Sequence, residues 1–297
     1  MSSIRVNPLI LPDLLSALAQ TRQQENTATL QLASGSRINQ PSDDPAGAAQ
    51  MVSNRDQSRQ ADSFLRSITS VNGLLQTSDS TLASVVAALQ RAISLGVQGA
   101  NGTLSNSDRA DVAGELSGIR QQLVSLANTS YQGEFIFAGT AITQPFLASA
   151  TSTSGVTYQG NANTNIVQVG TNYSLQINQP GSQVFSSPGS DVFQSIAGLI
   201  TSLQTNTGVG GALGAVRAAF DHVTSQRVFY GNAVNQLASQ QQYLNSEKLS
   251  LSTAADSISG ADLAATATTL TQAEVALNAE LAAMGRIAQT SLFDYLK

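Results

Sequence analysis

The 297-residue sequence contains no cysteine and no tryptophan. The absence of cysteine excludes disulfides, thiolate metal sites and cysteine nucleophiles. Aromatic residues make up 5% and charged residues 11% of the chain, whereas about 25% of an average globular protein is charged. So few aromatic rings favour packed helices with stripes of Leu, Ala, Val and Ile over a core built on large side chains.

The chain also has little positive charge. Its net charge is −5 and its pI is about 4.8, so it lacks the basic field that neutralises phosphates or holds an anionic membrane. Arg5 precedes no apolar run long enough for a signal peptide, and no stretch approaches a membrane-spanning length. We therefore expect no nucleic-acid partner, no membrane insertion and, if the protein leaves the cell, secretion without a cleaved signal peptide.

The sequence offers little for catalysis. His222 is the only histidine, and the neighbouring Asp221 cannot face the same way on a helix, so we interpret His222 as a solvated helix position. Adjacent Asp43 and Asp44 suit a helix N-terminus better than a metal site. The glycines of residues 208–214 lack the spacing and the lysine of a phosphate-binding loop. We expect no enzyme, no cofactor and no metal.

Helical periodicity is strong in the first half of the chain. Residues 11–35 repeat apolar positions at spacings of three and four. A break follows, where Ser42 or Asp44 can cap a second, long helix that begins at Pro45 and continues to near Leu95. A third, shorter helix begins after residues 105–108 and continues to Leu126.

Helices return in the second half. A helix is predicted over residues 192–203, followed by a flexible glycine-rich link at 208–214. Residues 213–258 then place apolar side chains in heptad spacing, which predicts a long coiled-coil-like helix. After a break at residues 259–260, a last helix leads to the C-terminus.

Polar residues interrupt these otherwise apolar seams. They are either exposed at the edge of the packed face or select the register, because a polar group tolerates only alignments that pair it. Both interpretations stay open for Asn72, Asp79, Arg227, Gln241 and Lys248.

Between Phe135 and Pro188, apolar and polar residues alternate between Gly, Asn and Pro turns, which predicts a β-rich insert. The predicted fold is mainly α with a small β insert: an elongated antiparallel bundle of long helices, with terminal coiled-coil helices and an outer β-rich domain. We predict three domains: terminal helices (1–40 with 260–297), a long-helix core (41–132 with 190–259) and the β-rich outer domain (133–189).

Two groups of motifs resemble the flagellin family. Leu32-Ala-Ser-Gly-Ser-Arg-Ile38 and Asn39-Gln-Pro-Ser-Asp-Asp-Pro-Ala46 resemble the segment between the first two helices of that family. A second group is similar to the members that connect hook to filament: Ala100-Asn-Gly-Thr-Leu-Ser-Asn-Ser-Asp-Arg109, Leu126-Ala-Asn-Thr129, Glu134-Phe-Ile-Phe-Ala-Gly139, Gln144-Pro-Phe146, Tyr158-Gln-Gly-Asn161, Pro180-Gly-Ser-Gln-Val-Phe185 and Ser291-Leu-Phe-Asp-Tyr-Leu296.

The resemblance implies a structural subunit of the bacterial flagellum at the hook-filament junction. It implies type III export with a flagellar export chaperone, terminal helices that are disordered in the free monomer, and assembly with further copies of the chain. It also implies contacts with the first hook-associated protein and with flagellin.

We expect assembly to use the apolar stripes of the terminal helices, which contain too few large side chains to form a core alone. The predicted interface comprises Leu11, Leu14, Leu18, Leu32, Leu263, Leu270, Leu277, Leu281, Met284, Leu292 and Phe293.

Two other functions remain open. A filament flagellin would polymerise into long filaments by itself. A secreted carbohydrate-binding or adhesive protein would need an aromatic-lined pocket in the insert, and the aromatic residues there mostly occupy positions expected in the core: Phe135, Phe137, Phe146, Tyr158, Tyr173 and Phe185.

Overall fold

The computed structural model describes residues 10–295, and the side chains of residues 12–286. Over this range the chain forms helices and short strands in the order α1 (Ile10–Ser34), α2 (Pro45–Gly99), α3 (Asn106–Ala127), β1 (Ser130–Tyr131), β2 (Glu134–Phe135), β3 (Phe146–Ala148), β4 (Val156–Tyr158), β5 (Ile166–Gly170), β6 (Tyr173–Gln176), α4 (Gly181–Val184), α5 (Val192–Thr205), α6 (Val209–Ser259) and α7 (Leu263–Tyr295). The prediction of a mainly α fold with a small β insert is confirmed.

The chain divides into two compact units. The terminal unit comprises Met1–Gln60 and Glu247–Lys297, and the central unit comprises Ala61–Ser246. The long helices α2 and α6 each contribute residues to both units. The predicted division into three domains stays a proposal.

Local capping explains where the helices begin. Asp44 immediately precedes α2, and its Oδ1 accepts a hydrogen bond from the Gly47 amide over 2.9 Å. At α3, the Asp108 amide donates to Ser105 Oγ, and the Ser105 amide donates to the Asp108 carboxylate, each over 3.2 Å. This reciprocal capping box satisfies amides that would otherwise lack partners.

The central unit is built around fully buried leucines of α2. Leu75, Leu82 and Leu89 are completely inaccessible to solvent and belong to one hydrophobic cluster with side chains of α3, α5 and α6. The buried positions of α6 recur at spacings of three, four and seven and include Val216, Ala219, Val223, Tyr230, Ala233, Leu237 and Leu244.

The expectation that no stretch of the chain approaches a membrane-spanning length is wrong for α2. An 18-residue window of this helix has a mean hydropathy of 1.3, which by length and composition suffices to cross a membrane. Of that window, 44% is buried inside the protein. Because Leu75, Leu82 and Leu89 pack in the core, the apolar character of α2 is explained by internal packing.

The β insert consists of three separate antiparallel strand pairs, β1-β2, β3-β4 and β5-β6, within the described residues. The first pair turns at Gln132 and Gly133, which both have positive φ, of 52° and 89°. The predicted alternation does not continue directly after Phe135, where β2 ends. The following side chains Ile136, Phe137 and Ala138 are all buried, a pattern that an alternating strand cannot produce.

The insert shares its core with the helices. The ring of Phe146 on β3 lies 5.1 Å from that of Phe193 on α5, centroid to centroid, and 5.4 Å from that of Phe185. Phe137 and Phe185 meet edge to face at 5.0 Å. Four buried phenylalanines therefore pack together where insert and helices meet.

The glycine-rich link was also predicted incorrectly. Gly208 has a positive φ of 71°, and α6 begins at the next residue and continues through Gly210, Gly211 and Gly214. Asn206, with a φ of 52°, is also left-handed, so two such residues form the connection between α5 and α6. Burial of Leu213 stabilises the first turn of α6, whose glycines have low helix propensity.

Candidate assembly interface

The two connections between helices in the terminal unit are hydrogen-bonded to each other. Ser36 and Gly260 form an isolated antiparallel bridge. The Arg37 amide donates to the Ser259 carbonyl over 2.6 Å, and the Ala261 amide donates to the Gly35 carbonyl over 3.0 Å. The segment after α1 is thereby joined to the segment before α7, and we call residues 35–47 together with 256–262 the clasp.

The side chain of Arg37 strengthens the clasp. Its Nη2 donates to Asp44 Oδ2 and to the Ile258 carbonyl, over 2.9 Å in both cases. The Gly47 amide, followed by the Arg37 guanidinium, holds the pKa of Asp44 below its ordinary value of 3.8. One guanidinium therefore contacts both connections and keeps its carboxylate partner ionised.

The adjacent aspartates serve the backbone, as expected. Asp43 Oδ2 accepts hydrogen bonds from the amides of Asn39 and Gln40, over 2.9 and 2.8 Å. Asp44 caps α2 through the Gly47 amide. Within the described part of the chain, no group of three or more His, Asp or Glu side chains is placed to hold a metal ion.

Helices α1 and α7 pack against each other. Thr21 Oγ1 on α1 donates to Glu280 Oε1 on α7 over 3.0 Å. The most deeply buried side chains of the pair are Leu18, Thr21, Ala28, Thr266 and Ala273, each at most 8% exposed. All except Leu18 are small, which lets two helices approach closely but buries little apolar surface.

The predicted interface residues have different environments. Leu18 is buried, and Leu14, Leu270, Leu277 and Met284 are half-buried. Leu32, Leu263 and Leu281 are 41%, 51% and 44% exposed. The side chains of Leu11, Leu292 and Phe293 lie outside those described.

The sequence pattern did not indicate Thr266 and Ala273, which are the buried side chains of α7 among those described. Thr266, Ala273 and Glu280 repeat every seven residues and alternate with the predicted row of Leu263, Leu270, Leu277 and Met284. The predicted row contains only large apolar residues, whereas a heptad seam also requires a second row, which here consists of small or polar side chains.

Apolar side chains remain on the outside of the helix pair. Besides Leu32, Leu263 and Leu281, Leu15 is 48%, Leu30 51% and Val275 65% exposed. These six side chains are apolar surface that the helix pair leaves exposed to solvent, and large exposed apolar patches are typical of interaction sites.

His222, the single histidine of the chain, contacts the backbone of another helix. Its Nε2 lies 2.7 Å from the Gln183 carbonyl oxygen at the end of α4. The side chain is still partly exposed, as expected of a solvated helix position, and its ring in addition contacts the end of α4.

The long helices, their paired connections and the small strand pairs define a flagellin-type fold. Residues 12–142 match the family model described as the bacterial flagellin N-terminal helical region. Flagellar hook-associated protein 3 of Salmonella typhimurium is 35% identical over 158 residues, which are 53% of this chain and 49% of that protein.

Two further proteins are similar. Flagellin of Listeria monocytogenes is 34% identical over 113 residues, covering 38% of this chain and 39% of the flagellin. A structure of a flagellar hook-associated protein from Vibrio parahaemolyticus has the same fold, with a TM-score of 0.68 and 21% identity over 73% of this chain and all of that chain. The chain thus aligns with about half the length, or less, of the two sequence relatives.

Proposed function

We propose that the protein is a structural, non-enzymatic subunit of the bacterial flagellum that connects hook to filament. The single observation that carries this proposal is the 158-residue match to a hook-associated protein 3 at 35% identity. The flagellin-type fold supports it, as does a helix pair with apolar side chains on its outer surface.

Assembly would use the α1-α7 pair, with the clasp holding both helices at one end. Exposed Leu32, Leu263 and Leu281 would pack against neighbouring subunits, together with the half-buried residues of the predicted interface. The partners would be further copies of this chain, the first hook-associated protein and flagellin. An export chaperone would bind before secretion, which would proceed without a cleaved signal peptide.

Electron microscopy of a deletion strain tests the proposal. We expect hooks without filaments and flagellin shed into the medium, with both defects repaired by the wild-type gene. Filaments of normal length in the deletion strain would contradict the junction role.

A matched pair of variants tests the surface. Leu32→Gln with Leu281→Gln should express and fold but fail to restore filaments, because it removes exposed apolar contacts from the helix pair. Val97→Gln, which changes a side chain 51% exposed in the central unit, is the control and should restore filaments. Equal restoration by both would contradict the proposed interface.

A filament flagellin is the second candidate, because the match to Listeria flagellin has nearly the same identity over its shorter span. Purified protein distinguishes the two: a flagellin forms long filaments by itself, whereas a junction subunit stays monomeric or forms short assemblies.

A further inference from the structure

A shallow hollow lies between the β5-β6 pair and α6 in the central unit. It has a volume of about 420 Å³ and is lined by six residues. None of them is charged and none is aliphatic: Tyr173, Asn235, Gln236, Ser239, Gln240 and Tyr243.

The two tyrosine rings are accessible to solvent. Tyr173 is 36% and Tyr243 61% exposed, whereas Phe137, Phe146 and Phe185 are buried in the core. Exposed tyrosines supply rigid contact area with a polar end.

The hollow is held in shape by its own contacts. Tyr173 Oη donates to Gln236 Oε1 over 2.9 Å, which fixes that ring against α6. A Cβ added at Gly170 would lie 2.6 Å from Gln240 Nε2, so glycine at this position allows the amide to lie against the strand pair.

The lining side chains of α6 form one stripe. Gln236, Gln240 and Tyr243 follow the spacings of four and three that place residues on one helix face. Gln236 and Tyr243 are separated by about 10 Å along the axis, at 1.5 Å per residue. Tyr173 stands beside Gln236, so the two rings mark opposite ends of a row of amides.

The segment of α6 that lines the hollow carries no charged side chain. Residues 228–246 of α6 include no Asp, Glu, Lys or Arg, although about a quarter or more of a typical surface is charged. A site of this kind has no preference for ions and offers paired donors and acceptors to neutral ligands.

We infer that this hollow is a binding site for a neutral carbohydrate. Aromatic faces pack against the C-H faces of pyranose rings, and Asn and Gln amides both donate to and accept from neighbouring hydroxyl groups. The absence of aliphatic lining disfavours an apolar peptide, and the absence of cations disfavours an anionic glycan. The row between Tyr173 and Tyr243 would accommodate a short oligosaccharide segment.

Saturation-transfer NMR and calorimetry on the full-length protein test this site, with cellohexaose, chitohexaose and maltohexaose as neutral probes. We expect saturable binding of at least one probe and weaker binding of an oligogalacturonate. Tyr243→Ala should weaken binding about tenfold, the loss of one aromatic contact, while Tyr243→Phe keeps the ring and most of the affinity.

Two more variants complete the test. Gln236→Ala should also weaken binding, because it removes an amide and frees Tyr173. Gln241→Ala, on the adjacent exposed position outside the hollow, should bind normally. The inference is overturned if no neutral probe binds at millimolar concentration or if Tyr243→Ala and Gln236→Ala bind as wild type. It is also overturned if these variants reduce only self-association in sedimentation, which would make the hollow a contact between copies of the chain.

Discussion

At the residue scale, the structure pairs two of the polar side chains that interrupt the apolar seams. Arg227 Nε and Nη2 donate to Asp79 Oδ1 and Oδ2, over 3.0 Å each. The hydrogen bond with Asp79 raises the pKa of the Arg227 guanidinium above its usual range. Leu75 and Leu82 flank Asp79 on α2, and Val223 and Tyr230 flank Arg227 on α6. All four of these flanking side chains are fully buried. A shifted alignment of the helices would place each charge against an apolar side chain.

The first prediction concerns this ion pair. The side chains are 33% and 38% exposed, so solvent screening limits the coupling to about 1 kcal/mol. Asp79→Ala should lower the free energy of unfolding by about that amount. Asp79→Leu with Arg227→Leu should be as stable as wild type or more so, because no charge is left unpaired. Chemical denaturation measures both.

The alignment of α2 against α6 is a second property to measure in the double leucine variant. Spin labels at Ser80 and Val228, which are both exposed, can be attached to introduced cysteines without interference in this cysteine-free chain. The distance distribution between them should broaden in the double leucine variant. An unchanged distribution would show that Asp79 and Arg227 do not select the alignment.

The second prediction concerns the clasp at low pH. Because the folded pKa of Asp44 is lowered, its ionised form contributes stability above pH 3.8 that is lost as the pH falls through the folded pKa. Arg37→Gln removes the second of the two main causes, so the titration midpoint of Asp44 should rise toward 3.8. Carboxyl carbon NMR measures it directly.

Asp108 is the internal control for that titration. Its pKa is lowered by the Ser105 hydroxyl and amide, which are independent of Arg37. Its midpoint should therefore be unchanged in Arg37→Gln. If the Asp44 midpoint also stays constant, Arg37 does not stabilise the carboxylate.

At the element scale, helices were predictable where local chemistry specifies them. Pro45 and the Ser105-Asp108 box begin helices as expected, because capping depends on neighbouring residues alone. The prediction of which α6 side chains are buried was less accurate. Ala219 and Ala233 are buried, whereas Phe220 and Val234 are half-buried, so the second buried row of the heptad lies one residue before the large apolar side chains that predicted it.

Contacts between distant residues could not be predicted. The clasp pairs Arg37 with Ile258 and Ser259, and sequence spacing carries no signal for such a contact. The carbohydrate hollow likewise combines Tyr173 of the insert with residues of α6. The sequence of the insert indicates candidate aromatic residues for ligand binding, whereas Tyr243 carries no such signal, because it lies in a helix whose heptad spacing predicts packing.

The third prediction tests how far the insert is a separate domain. Phe146 is 1% exposed and packs on Phe193 of α5. Phe146→Ala should lower stability by about 3–5 kcal/mol and shift the thermal transition of the helices, followed by far-ultraviolet circular dichroism. Leu147→Ala, at the adjacent residue that is 43% exposed, should shift it little. An unchanged helical transition in Phe146→Ala would indicate an insert that unfolds independently.

At the scale of the whole molecule, the two units differ in how much apolar surface they bury. The central unit has fully buried Leu, Ile, Phe and Tyr side chains on several elements. In the helices α1 and α7, the buried apolar side chains among those described are Leu18, Ala28 and Ala273. Burying one leucine contributes about 1.5–3 kcal/mol, whereas ordering the backbone costs about 1–2 kcal/mol per residue.

The last prediction follows from this difference. The α1-α7 pair gains too little from its own packing to offset the entropy of ordering two long helices, so in the free monomer it should be frayed and become stable only on assembly. Neighbouring subunits would supply the missing apolar contacts to exposed Leu32, Leu263 and Leu281. Hydrogen exchange on the monomer should show residues 12–32 and 263–286 exchanging almost as an unfolded chain, with residues 68–89 and 237–251 protected. Removing residues 263–297 should leave that protection intact and abolish filament attachment. Equal protection of both regions in the monomer, or filaments attached by the truncated protein, would contradict the coupling of folding to assembly.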